Sequence, residues 1–171
     1  MKKGYIQVYT GGGKGKSTAA FGLALRAAGH SLNVRIIQFL KNNKSYGEYS
    51  VLSKMTKMSQ HGSGKFVDPK NPSREDKLSA EEGFELAKKD VASGEYDIVI
   101  LDEIIVASSL GLVSEEQVIS LMKNKAETTE LVLTGRGATE RMIEEADLVT
   151  EMNEVKHYYS SNVKAREGIE F

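Results

Sequence analysis

Residues 8 to 20, "VYTGGGKGKSTAA", set three glycines in a row, a fourth between two lysines, and then two hydroxyls. Glycines at such a turn take positive φ and let backbone N–H groups converge on one point, which makes an anion cradle. Lys16 adds a mobile point charge for phosphate oxygens, and Ser17 adds a hydroxyl at the spacing of a Mg²⁺ ligand. A second group is Asp102 and Glu103, which follow the apolar run Ile98 to Leu101 in "YDIVILDE". An acid at that place binds Mg²⁺ directly or through water and can accept a proton from it. One of the two is expected to cap the helix that opens at Ile104. Arg136, in "LTGR", either reaches a phosphate chain or bound substrate or stays on the surface after a glycine turn.

The elements that must carry these groups can be read from periodicity. "GYIQVYT" alternates and ends as a strand near Thr10, and "STAAFGLALRAAG" is a strong helix former with Gly29 as its stop. The glycines therefore lie between a strand and a helix N-terminus, the context of a P-loop. The pattern G-x-x-x-x-G-K-[ST] closes properly on Gly15, Lys16 and Ser17, but Thr10 stands at its first glycine and Gly11 comes one residue late. Downstream, "NVRIIQFL" (33 to 40) is a strand, 51 to 58 a helix leading into a short strand at "KMSQH", and 62 to 73 a long irregular loop with both prolines. Ser73 caps a helix with Ala80, Phe84, Ala87 and Val91 at helical spacing. "IIVASSLGL" and "SEEQVISLMKNK" give two short helices, with Ser114 capping the second. "TELVLTGR" is a strand, "TERMIEEA" a short helix and "DLVTEM" a last strand. Strands alternating with helices predict an α/β fold with a doubly wound, mainly parallel sheet, of P-loop NTPase (RecA-like) architecture, whose ligands lie beyond the strand carboxyl ends.

At 171 residues the chain is expected to be one domain, 1–171, burying roughly 70% of its unfolded surface. A net charge of -1 gives no reason to expect nucleic acid as a partner, and the lack of cysteine excludes disulfides and thiolate metal sites. Neither a signal-peptide apolar region nor a span of transmembrane length is expected, which makes the cytoplasm the default setting with no membrane partner. His30 is placed at a helix end, and His61 has no evident partner. His157 in "KHYY" reads more readily as structural than catalytic, and Tyr158 and Tyr159 read as core rather than as stacking residues.

Taken together, "VYTGGGKGKSTAAFGLALRAAG", "VRIIQFLK", "YDIVILDEI" and the run from "LVLTGRGATERMIEEADLVTEM" through "KHYYSSNVKAREGIEF" resemble the P-loop type of ATP:corrinoid adenosyltransferase. The resemblance covers most of the chain outside residues 42 to 95, and the Thr10 departure is itself typical of that family. It implies that a corrinoid cobalt(I) attacks the 5′ carbon of ATP, forms a cobalt–carbon bond and expels triphosphate. Catalytic roles then fall to Lys16, Glu103 and Arg136. The nucleotide contacts fall to Thr10, Gly11, Gly12, Gly13, Lys14, Gly15, Lys16, Ser17 and Thr18. Mg²⁺ or Mn²⁺ would be held by Ser17 and Glu103 with Asp102 beside them, while Phe66 would face the corrinoid and His157 the bound ligands. A flavoprotein or other reductase that delivers electrons, and a homodimer, are implied partners.

Departures from the family pattern fall in the corrinoid-facing loop and the C-terminal run. Phe66 matches the first member of the family's aromatic pair, yet Val67 and Asp68 stand where the second is expected, and the chain has no tryptophan. "TGRGAT" replaces the family's "TGRxAP", and Asn162 replaces a glycine after "KHYY". Two other classes stay open on the residues alone. A small-molecule kinase would use Asp102 as base and release ADP, and a non-enzymatic ATP-binding switch would bind partners by nucleotide state without corrinoid affinity.

Overall fold

The computed structural model describes residues 2–170. Six strands form one parallel sheet: β1 (Ile6–Thr10), β2 (Val34–Phe39), β3 (Lys57–His61), β4 (Ile98–Asp102), β5 (Glu130–Thr134) and β6 (Leu148–Glu151). Their order across the sheet is β3-β2-β4-β5-β1-β6. One strand, β5, therefore separates the strand that feeds the glycine loop from the strand that ends in the two acids, the RecA-like arrangement.

Side chains alternate along each strand, so the sheet has two apolar faces. Val34, Ile36, Ile98, Ile100 and Val132 pack with Ala20, Ala24 and Ala27 of α1 (Lys16–Gly29) and Leu52 of α2 (Gly47–Met55). Ile37, Phe39, Val99, Leu101, Leu131 and Leu133 pack on the other face with Phe84 and Val91 of α3 (Arg74–Ser93) and with α4 (Ile104–Ser109), α5 (Glu115–Lys123) and α6 (Glu140–Glu145). Small alanines on α1 let that helix lie close to the strand ends. The Arg35 Nε to Asp90 Oδ2 ion pair, 2.7 Å long and almost fully buried, ties β2 to α3 from within.

The helix starts follow the sequence closely. Ser73 Oγ accepts from Asp76 N while Asp76 Oδ2 accepts from Ser73 N, and Ser114 makes the same reciprocal box with Gln117. The end of α1 falls where the sequence places it. Gly29 is the last helical residue, His30 is the cap, and the left-handed position falls on Ser31 at φ 59°. Ser31 N and Leu32 N donate to the carbonyls of Ala28 and Ala27, a Schellman ending just past Gly29. Packing of Leu32 against the α1 face selects that register. No regular element occurs from 62 to 73, as the prolines imply.

Candidate active site

The glycine loop leaves β1 at the carboxyl edge of the sheet and enters α1 at Lys16. Gly11 adopts φ 96°, and a Cβ there would lie 2.5 Å from the Met152 carbonyl oxygen, so the late glycine is required by contact with the segment after β6. Thr10 explains why the motif departs from its pattern. It is the last residue of β1, it is buried, and its Oγ1 accepts the N–H of Ala138 at 3.2 Å, tying the loop base to the turn after β5. A glycine would lose that tie. Lys16 Nζ curls inward and donates to the carbonyls of Gly11 (2.8 Å) and Gly13 (2.6 Å). Burial first, and then the nearby Arg136 charge, hold its ammonium below the usual lysine range, while Glu103 acts in the opposite sense. A buried cation in that balance favours an anionic ligand.

Alternation along the strands places the acids. Asp102 shares parity with Ile98 and Ile100, so it faces α1, and Gln38 on β2 and Thr134 on β5 share that face. The three form a row across adjacent strands: Thr134 Oγ1 donates to Asp102 Oδ1 at 2.7 Å, and Gln38 Nε2 donates to Oδ2 at 3.1 Å. Gln60 Nε2 extends the row by donating to Gln38 Oε1 at 2.9 Å.

Glu103 occupies the N-cap position of α4, but its side chain makes no cap bond, and neither does that of Asp102; the expectation that one acid merely caps this helix is corrected. The carboxylate instead lines the cavity. Its pKa is raised, by burial first and by the Asp102 charge second, against the opposing influence of Lys41, Lys16 and Arg136. Its backbone is left-handed at φ 61°, and Leu40, the residue after the neighbouring strand β2, is left-handed at φ 60°. Left-handed backbone at bulky residues is costly and gathers at functional sites. Glu103→Gly is expected to fold about 1 kcal/mol more stably than Glu103→Ala, since both lack the carboxylate and only glycine relieves the backbone. Thermal melts of the two variants test this, and equal stability would show that the turn carries no strain.

Arg136 follows Gly135, whose φ is 141° and whose Cβ would clash with Ile105 and Val106 of α4 at 2.8 Å. This close approach explains the glycine of "TGR" and leaves Arg136 exposed at the rim. It lines two openings. The larger is a cleft of about 920 Å³ that also holds Lys14, Lys16, Ser17, Thr18, Asp102, Glu103 and His157. The smaller, about 260 Å³, is bordered by Thr10, Gly11 and Gly12. The larger lies near the top of the common range for ligand clefts, about 300–1,000 Å³, so it is large enough for a nucleotide.

Among the remaining residues, Tyr158, Tyr159 and His61 differ from expectation. Tyr158 and Tyr159 are exposed, not core, because the chain after β6 runs over the surface; the Arg166 guanidinium lies 4.7 Å over the Tyr158 ring. His61 has a partner, Ser59 Oγ at 3.2 Å. His157 borders the cleft, with its Nδ1 accepting the N–H of Tyr159 at 3.1 Å, which leaves the proton of the neutral ring on Nε2. Phe66 is 94% exposed and is not brought to the cleft. Sequence reading missed Gln38, Thr134, Lys41, Tyr46 and Glu48, all at or beside the cleft or its acids. For Gln38 and Thr134 the signal was present: each lies two residues beyond an apolar residue of the α1 face.

Strand order, the glycine loop at a helix N-terminus and a buried acid on the next strand but one define an α/β fold of the P-loop NTPase type. Within that class the chain belongs to the ATP:corrinoid adenosyltransferase family, since the family model described as ATP:corrinoid adenosyltransferase BtuR/CobO/CobP matches residues 2–171. The chain is similar to the corrinoid adenosyltransferase of Pseudomonas aeruginosa, 36% identical over an alignment of 172 residues that covers 99% of this chain and 85% of the relative. It is 38% identical to that of a Sinorhizobium species over 175 residues (99% and 81%). It is 34% identical to that of Escherichia coli K12 over 170 residues (99% and 87%).

Proposed function

We propose that the chain acts as one domain, 1–171, in which the cleft at the carboxyl edge of the sheet binds the triphosphate of ATP and presents its 5′ carbon to a reduced corrinoid. The family reaction is transfer of the adenosyl group of ATP to that corrinoid. The observation that carries the site assignment is the meeting of Lys16, Ser17, Asp102, Glu103 and Arg136 on one cleft, from three separate segments.

In this reaction negative charge grows on the departing triphosphate, so catalysis consists of holding a leaving group. Lys16 turns its ammonium from the loop carbonyls to phosphate oxygens, and the N–H groups from Gly11 to Ser17 surround them. Arg136 supplies a second cation from the opposite rim. Neither a general base nor a protein nucleophile is needed, because the corrinoid brings the reactive atom. His157 offers an Nε2 proton to a substrate oxygen, and Phe66, exposed on its loop, is assigned to the corrinoid side.

The donor set suits a hard divalent cation. Ser17 and Glu103 would hold Mg²⁺ or Mn²⁺, with Asp102 behind them, and the ion would neutralise phosphate charge. Among the described residues no group of three His, Cys, Asp or Glu side chains gathers that could hold a metal ion. A reductase that delivers electrons to the corrinoid, a homodimer and a cytoplasmic setting belong to this reading through the family resemblance. Among the described residues no helix is long and apolar enough to cross a membrane.

Phosphorus NMR tests the reaction. Anaerobic incubation with chemically reduced corrinoid, Mg²⁺ and ATP is expected to yield inorganic triphosphate and a light-sensitive adenosylated corrinoid in equal amounts, with little ADP. Stoichiometric ADP with no cobalt–carbon bond would move the chain to the kinase class. Firm ATP binding without turnover, across several corrinoids, would favour the switch.

A further inference from the structure

After β6 the chain crosses back over the glycine loop. Gly13 N donates to Met152 O at 2.6 Å, and from there residues 153–170 contain one short 3₁₀ turn, Tyr159–Ser161, and little buried surface. A small set of charged contacts holds the end of this segment, and they converge on Glu170. Its Oε1 accepts Lys14 Nζ at 2.7 Å and Arg166 Nη2 at 3.2 Å. Its Oε2 accepts the backbone N–H of Arg166 at 2.8 Å and Nε at 3.3 Å. Lys14 Nζ also reaches the carbonyl of Ile169 at 3.3 Å. Arg166, and more distantly Lys14, lie over the ring of Tyr158. The result borders the cleft, which Gly168, Ile169 and Glu170 line together with Lys14 and the two acids.

We propose that Glu170 is a positioning residue for adenosyl transfer: by taking Lys14 and Arg166 on one carboxylate, it fastens the C-terminal segment to the glycine loop and makes residues 157–170 a wall of the nucleotide site. This deepens the nucleotide-site reading and rests on it. Lys14 lies two residues before Lys16, so any group that fixes its side chain also steadies the loop that must meet the phosphates. The Glu170 carboxyl is held down to about 2, by Arg166 first and Lys14 next, so the clasp stays charged throughout the neutral range. Ordering the wall before the ligand arrives removes an entropic cost from binding. Linkage then requires the converse, that a bound nucleotide strengthens the wall by the same factor.

Trypsin supplies the test, because Lys164 and Arg166 lie within the wall. On the full-length chain, ATP without corrinoid is expected to slow cleavage after Lys164 several-fold, read by mass spectrometry. Glu170→Gln should erase that protection and raise the KM for ATP about tenfold, with kcat within about twofold, as expected for lost charge-assisted bonds that act in binding. Glu170→Asp should restore part of both. Cleavage accelerated by ATP would mean that nucleotide displaces the segment, and protection retained in Glu170→Gln would mean that Glu170 does not fasten it; either overturns the proposal. Calorimetry on the same samples separates the two levels. An intact chain that binds no ATP would overturn the nucleotide site itself, whereas tight binding with unchanged cleavage would overturn the wall alone.

Discussion

Lys16→Ala is expected to lower kcat/KM for adenosylation by about 10²–10³-fold, the usual cost of removing one aimed charge donor from a reaction that develops negative charge. The side chain is 8% exposed at the first position of α1, with its ammonium between the carbonyls of Gly11 and Gly13. Other bonds hold the loop in its absence, since Gly13 N donates to Met152 O and Ala19 N to Gly15 O. The fold therefore survives, and circular dichroism melts should show a shift of a few degrees at most. Anaerobic initial rates with preformed cobalt(I) corrinoid measure the loss. Turnover within tenfold of the parent, with tight ATP binding, would remove Lys16 from the site.

Glu103→Gln is expected to raise the Mg²⁺ concentration for half-maximal activity by more than the roughly 10–100-fold that an outer partner of a metal ligand is worth. The reason lies in how the two acids are held. Both oxygens of Asp102 already accept hydrogen bonds, from Thr134 and Gln38, whereas the Glu103 carboxylate points into the cleft without a cap bond. Asp102→Asn is the comparison: if it alone produces the larger metal effect, the direct ligand is Asp102 and Glu103 is its neighbour.

The same variant has a stability signature. Burial and the Asp102 charge raise the Glu103 pKa above the ordinary glutamate value of 4.5, so the folded chain keeps that proton to higher pH than the unfolded chain does. Between the two values the folded state binds more protons, so stability is full below the ordinary value and falls as pH rises through the raised one. Glu103→Gln removes that slope. Urea melts from the acidic to the neutral range should therefore show the variant gaining on the parent as pH rises; parallel curves would mean that the carboxylate is not desolvated. A group that costs stability at working pH and sits on left-handed backbone is better explained by ligand binding than by folding.

What the sequence alone determined was local. Alternation in "YIQVYT", the apolar run before Asp102, the serines at 73 and 114 and the prolines of 62–73 each act within one element or its cap, and the strands, helices and irregular loop follow from them. The glycine loop was legible for the same reason, because cradle, lysine and hydroxyl lie within one strand–loop–helix stretch. Its membership of a corrinoid adenosyltransferase family was legible in short runs along the chain. The tertiary structure alone decided what depends on partners far away in the chain. Asp102 meets Gln38 across 64 residues because β2 and β4 are neighbours in register, and no local pattern encodes strand order. Thr10 is needed where a glycine was expected because its hydroxyl receives Ala138, 128 residues on. Tyr158 lies outside the core, and Lys14 meets Glu170 across 156 residues, because the segment after the edge strand has no further sheet to join and closes instead over the loop at the other end of the sequence. Hydrophobic periodicity reports which face of an element is buried, while the groups that build this site meet through register and chain return, which periodicity does not carry.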